Sequence, residues 1–105
     1  MRKTIYYRAI AHRPGGEMFR SDIGYLTTFY NGFGSVDLVF GKNSFGRWSI
    51  TEYETGLLVH NETFQTRREA VAAITPEYLK LILDKLYSPL CEKARENLRA
   101  YRASL

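Results

Sequence analysis

The chain has a single cysteine, Cys91, and two histidines. One thiol cannot close an internal disulfide, which excludes a disulfide scaffold and fits a reducing compartment. Two histidines and one cysteine fall short of the set of four ligands that a structural zinc site takes. No G-x-S-x-G elbow is present. The glycine-bearing stretches 32–34 and 41–46 do not open a helix, as a phosphate-binding loop must. Apolar runs are short as well. None approaches the roughly 18 residues needed to span a bilayer, and the basic start over residues 1–8 has no apolar core behind it to make a signal peptide. An excess of one charge is also missing. Fifteen Lys and Arg against eleven Asp and Glu leave a net charge of +4, shared evenly by the parts either side of His60. There is no internal repeat, low-complexity tract or linker. These absences predict a cytoplasmic chain with no membrane association, no metal, no cofactor and no enzymatic activity.

What remains is an ordinary globular composition, 105 residues with 45% hydrophobic and 25% charged, which suits one domain. Aromatic residues stand out at 14%, with eight Tyr, six Phe and one Trp. Tyrosine fits strands by propensity, and it also fits binding surfaces that are packed on one side and wet on the other.

Residues 4–11 are β-branched and aromatic and predict a first strand. Ile5, Tyr7, Ala9 and Ala11 form its more apolar, core-facing side, and Tyr6, Arg8, Ile10 and His12 form the other. Arg13, Pro14, Gly15 and Gly16 break it. Residues 23–30 predict a second strand, followed by the hairpin signal Asn31-Gly32. Residues 36–40 predict a third strand, with Val36, Leu38 and Phe40 inward. Residues 47–53 predict a fourth, with Trp48 and Ile50 on one face and Ser49 and Thr51 on the other. After the turn at Glu54, Thr55 and Gly56, residues 57–60 predict a short fifth strand. Asp37, Glu52, Glu54 and Glu62 are placed on the wet face, as expected of an antiparallel sheet.

The period then changes. Thr66, Arg67, Arg68 and Glu69 spell a capping box: the Thr66 hydroxyl accepts from the Glu69 N–H, and the Glu69 carboxylate reaches back to the Thr66 N–H. Thr75-Pro76 and Ser88-Pro89 are two further caps, each with proline at the first helical position. Leu79, Ile82, Leu83 and Leu86 make an i, i+3, i+4, i+7 stripe. In the last helix Leu90, Ala94, Leu98, Tyr101 and Leu105 share a face. The fold class is therefore α+β, an antiparallel sheet of about four to five strands over residues 4–60. Three short helices over about 67–74, 76–87 and 89–104 follow, packed on one face.

Few residues suggest chemistry. His12 and His60 lie near strand ends, far apart in sequence, and are expected to be surface or satisfied histidines. Cys91 borders the apolar side of the last helix and is expected to be a buried structural thiol.

The segment running through Trp48, Thr55-Gly56 and Thr66 to Val71 resembles, over residues 47–74, small modules of phages and conjugative elements. Their tryptophan-led strand and Thr-Gly turn precede a capped Thr-basic-basic-Glu-Ala helix. Some proteins of this kind are inhibitors of host defence, such as anti-CRISPR proteins. The resemblance implies a small non-enzymatic binding or inhibitor protein that blocks a host protein or nucleoprotein complex, a CRISPR effector among them. Arg67, Arg68, Glu69 and Ala70 also look like the start of the last helix of the double-stranded RNA-binding domain, whose basic cluster meets phosphates across a groove. That family opens with a helix where residues 4–11 here predict a strand, and Glu62 and Glu69 set acid beside the arginines.

Two sets of candidate residues follow. For a protein or nucleoprotein partner they are the aromatics Tyr25, Tyr30, Phe33, Phe45 and Tyr53 with Arg67 and Arg68, types enriched at interface hot spots. For direct nucleic-acid binding, the alternative function, they are Arg67, Arg68, Arg95, Arg99 and Arg102. Of these, Arg95, Arg99 and Arg102 share a helix face, where Glu92 with Arg95 and Glu96 with Arg99 also make i, i+3 pairs. The sheet edges carry no evident guard, which leaves pairing with a second copy open.

Overall fold

A computed structural model describes residues 1–13 and 16–105 of the chain. The break expected around Pro14 and Gly15 and the side chain of His12 lie outside the described residues. Four strands, β1 (Arg2–Arg13), β2 (Gly16–Asn31), β3 (Gly34–Lys42) and β4 (Trp48–Glu52), precede three helices, α1 (Arg67–Ala72), α2 (Pro76–Leu86) and α3 (Pro89–Ala103). The strands form one antiparallel sheet in the order β1-β2-β3-β4. This is the expected α+β class, with an antiparallel sheet followed by three helices.

The helices begin where their caps place them. The side chains of Thr66, Thr75 and Ser88 accept from the backbone N–H of Glu69, Tyr78 and Cys91, each satisfying a donor that the first turn leaves free. The reciprocal arm of the box differs by one residue. Glu69 Oε2 accepts from the Gln65 N–H at 3.3 Å instead of from Thr66.

α1 and α2 cover one face of the sheet. Val36, Leu38 and Phe40 of β3 and Ile50 of β4 pack there with Ala70, Ile74, Leu79, Ile82 and Leu83. Each large side chain taken fully out of water there contributes about 1.5–3 kcal/mol. The apolar stripe of α3 holds only in its middle. Ala94 and Leu98 are buried, while Leu90 and Leu105 at its ends are exposed.

β1 corrects part of the expected facing: Tyr7 packs inward as expected, but its neighbours Ile5 and Tyr6 exchange roles. Ile5 is 58% exposed, whereas Tyr6 is 1% exposed and clusters with Leu26 and Val39. The reason is curvature. Neighbouring strands lie about 4.8 Å apart, so a β1 side chain reaches over β2 to β3 only if the sheet bends toward it. Tyr6 makes that reach. A Cβ on Gly41 of β3 would collide with its hydroxyl, and one on Gly24 of β2 would come within 2.9 Å of its ring. The curl also brings the two ends of the sheet together. The Ala9 N–H of β1 donates to the Gly56 carbonyl, just beyond β4, at 3.0 Å. Leu98 of α3 packs beside Gly56, and Tyr101 stacks against Tyr7 and Phe19 at 5.5 and 4.9 Å. α3 thus lies along the seam.

β2 begins at Gly16, seven residues before the expected start at Ile23. Its first part, with Glu17, Arg20 and Asp22, is too polar to read as a strand. It is held by pairing with β1 from Arg13 to Tyr6.

The expected fifth strand is not a strand. Residues 57–64 instead run irregularly along the outer edge of β4. Trp48 and Phe64 exchange backbone hydrogen bonds at 2.7 and 2.9 Å, and the Val59 N–H donates to the Ile50 carbonyl at 3.1 Å. The bridges join Thr51 to Leu58 and Trp48 to Phe64. The segment therefore spends six residues where β4 spends three, too much chain for a continuous ladder. Arg47 ties it down, donating to the Thr63 hydroxyl and carbonyl at 2.7 and 2.8 Å. As a result β4 is buried on both faces, including Ser49, Thr51 and Glu52, which were expected to be wet.

Candidate functional site

The structure divides the candidate residues into those spent on the fold and those left on the surface. Tyr25 and Arg67 belong to the first group. The Arg67 guanidinium lies 4.1 Å from the centre of the Tyr25 ring and 6.0 Å from that of Trp48. This cation–π stack pins the start of α1 to β2. Tyr53 and Arg102 form a second such pair at 4.3 Å. Arg102 also donates to the Tyr53 carbonyl at 2.9 Å and pairs with Glu54 at 3.6 Å. Arg95 donates to the Leu86 carbonyl at 3.1 Å, closing the end of α2. Of the five arginines proposed for nucleic acid, Arg68 and Arg99 are the exposed ones.

The remaining aromatics are exposed but scattered. Tyr30 is 77% exposed and pairs with Ser35 on the sheet face away from the helices. Phe33 precedes β3 and Phe45 follows it, so the strand's length separates them. Phe33 has a neighbour that the sequence reading missed. Tyr87, at the end of α2, is 74% exposed. Phe33 and Tyr87 stand either side of a groove that Leu83 floors and Lys80 and Asp84 edge. Tyr87 falls off the apolar stripe of α2. Its position between that stripe and the Ser88 cap was the signal that could have marked it.

The fold does not require the Phe33 side chain. The β2–β3 turn is closed by the Asn31 side-chain oxygen, which accepts from the Phe33 backbone N–H at 2.8 Å. Any residue except proline would supply that N–H.

His60 is packed rather than poised. Its ring lies 5.2 Å from Phe64 and 4.7 Å from Tyr78, and its Nδ1 accepts from the Glu62 N–H at 3.1 Å. Cys91 is half-buried. Among the described residues no group of three His, Cys, Asp or Glu side chains could hold a metal ion, and no helix is long and apolar enough to cross a membrane.

Glu52 departs most from the sequence reading. It is 2% exposed. Its carboxylate accepts from the backbone N–H groups of Glu54 and Thr55 at 2.7 and 2.9 Å. Burial pushes its pKa up, and the nearby Glu54 adds to the rise. These hydrogen bonds, and one from the Thr55 side chain, pull the other way and are outweighed.

No protein-family model, curated protein or solved structure matches the chain.

Proposed function

We propose that this chain is a small non-enzymatic binding protein that acts by occupying a partner's surface, with the groove between Phe33 and Tyr87 as its contact. The observation that carries this reading is the pair itself. Two aromatic rings, 82% and 74% exposed, flank one groove, and the turn that bears Phe33 uses only its backbone. Exposed aromatics over a small apolar floor, edged by opposite charges, have the anatomy of an interface centre with a polar rim. Lys80 and Asp84 offset each other, so the groove favours a protein surface over a phosphate backbone.

The resemblance of residues 47–74 to small phage and conjugative-element proteins makes a host protein or nucleoprotein complex, a CRISPR effector among them, the first partner to test. Immobilised chain and a Phe33→Ala/Tyr87→Ala variant should be exposed to the same bacterial lysate and the retained proteins compared. The reading expects a protein held by the native chain and lost by the variant, with both unfolding at the same temperature. Identical retained sets would remove the groove from the interface.

A further inference from the structure

A second concave feature lies behind the groove, between the turn after β4 and α2. It is a cavity of about 120 Å³ with Glu52 and Thr55 on its wall. Most of the remaining wall is apolar, including Leu57, Val59, Ile82 and Leu86. Leu58 and Leu81 also line it and are 64% and 54% exposed, which places them at its mouth. The volume is a little below the roughly 150 Å³ that takes up one benzene molecule.

The polar group in this cavity is the unusual one. Glu52 is 2% exposed, and its two backbone donors come from its own turn. An ionised carboxylate offers about four acceptor positions, and with the Thr55 side chain as a third donor one remains. A buried charge is tolerated when a counter-charge meets it. Among the described residues no Lys or Arg lies within ion-pair distance of Glu52. Lys85 borders the same cavity but is exposed. Arg95 borders the cleft on the other side of Glu52, and it donates to Leu86.

These features select among ligands. An anion would meet the carboxylate. A metal ion would find one carboxylate and a largely apolar wall, too few hard ligands for Mg²⁺ or Ca²⁺. A neutral hydrocarbon would fill the cavity but leave the carboxylate unanswered. A compact apolar body carrying one ammonium group answers both parts. We propose that this cavity binds a small primary amine, its ammonium on the Glu52 carboxylate and its branched aliphatic body among Leu57, Val59, Ile82 and Leu86. Longer ligands would leave through the mouth over Leu58 and Leu81. The site is independent of the Phe33 groove, and neither reading depends on the other.

The test uses three probes of one shape: 3-methylbutylamine, 3-methylbutan-1-ol and 3-methylbutanoate. Each is titrated into the full chain while backbone amide resonances are followed. The amine should produce saturable shifts over residues 52–59 and α2. The alcohol should bind about tenfold more weakly, because it lacks the charge-assisted hydrogen bond, and the carboxylate should not bind. Glu52→Gln should erase the preference for amine over alcohol. Leu81→Trp, at the exposed mouth, should weaken both and keeps the test decisive if the Glu52 variant does not fold. Equal affinities for amine and alcohol in the native chain would overturn the proposed recognition. The absence of any saturable shift, or amine binding untouched by Leu81→Trp, would overturn the site.

Discussion

Glu52 shows how one residue can escape a pattern that serves its neighbours. The alternation of β4 sets polar residues beside apolar ones, and a glutamate at the end of a strand is ordinarily solvated. Nothing in the local sequence says that residues 57–64 will close over that edge, because their hold depends on Arg47 and on the Trp48 bridge to Phe64. The burial has a consequence for pH. The carboxyl of Glu52 is held above its ordinary value, first by burial, against the pull of its backbone donors. A group whose pKa is raised on folding contributes stability that is fully present below its unfolded pKa and is lost as pH rises through the folded one. Other ionisable groups bordering it are Tyr78, Lys85 and Cys91 on the cavity side and Asp37, Glu54 and Arg95 on the cleft side. Urea unfolding of the native chain and of Glu52→Gln, compared from acid pH upward, should show the variant gaining relative stability above the ordinary glutamate range. The gain should level off once the native carboxyl is ionised. A difference that does not change with pH would mean that Glu52 titrates as a solvated side chain.

At the scale of elements, legibility tracks how local the determinant is. The caps at Thr66, Thr75 and Ser88 are set by residues three apart, and all three helices start beside them. The inward set of β3 is likewise visible as simple alternation. The facing of β1 is not, because it depends on how far the sheet curls, and the curl depends on glycines in other strands. Gly24 and Gly41 are the places where Tyr6 lies down. The Phe33 groove was half legible: Phe33 could be named as an exposed aromatic, but only the packing of α2 brings Tyr87 to it.

The curl also gives a test. Gly41→Ala sets a methyl group against the Tyr6 hydroxyl, a small-to-large change in a filled space. It should destabilise the chain by about 1–3 kcal/mol in chemical denaturation. Gly32→Ala, where an added Cβ meets nothing within 4 Å, should stay within about 0.5 kcal/mol. Equal effects at the two sites would refute the account of the curved face.

For the whole molecule, the question is what the basic balance is for. A net charge of +4 and five arginines near the helices invite a nucleic-acid reading, but three of those five are already committed. Arg67 stacks on Tyr25, Arg95 closes α2, and Arg102 joins α3 to the turn after β4. Releasing them to phosphates would break contacts that hold helices to the sheet. Stability and salt dependence therefore separate the two uses. Arg102→Ala should cost about 1–2 kcal/mol, the range for a hydrogen bond from a charged donor that is partly exposed. Arg68→Ala and Arg99→Ala should each lie within about 0.5 kcal/mol. If all five arginines met DNA phosphates, the logarithm of the affinity would fall against the logarithm of salt with a slope of about −4.5, and if only Arg68 and Arg99 did, about −1.8. Fluorescence anisotropy of a labelled duplex over a salt series reads this contribution as the change in slope when arginines are replaced. The fold predicts that Arg68→Ala/Arg99→Ala removes all that this set supplies. A further drop in slope from Arg102→Ala, without loss of stability, would show that the arginine is free for a ligand and that its contact with Tyr53 is incidental.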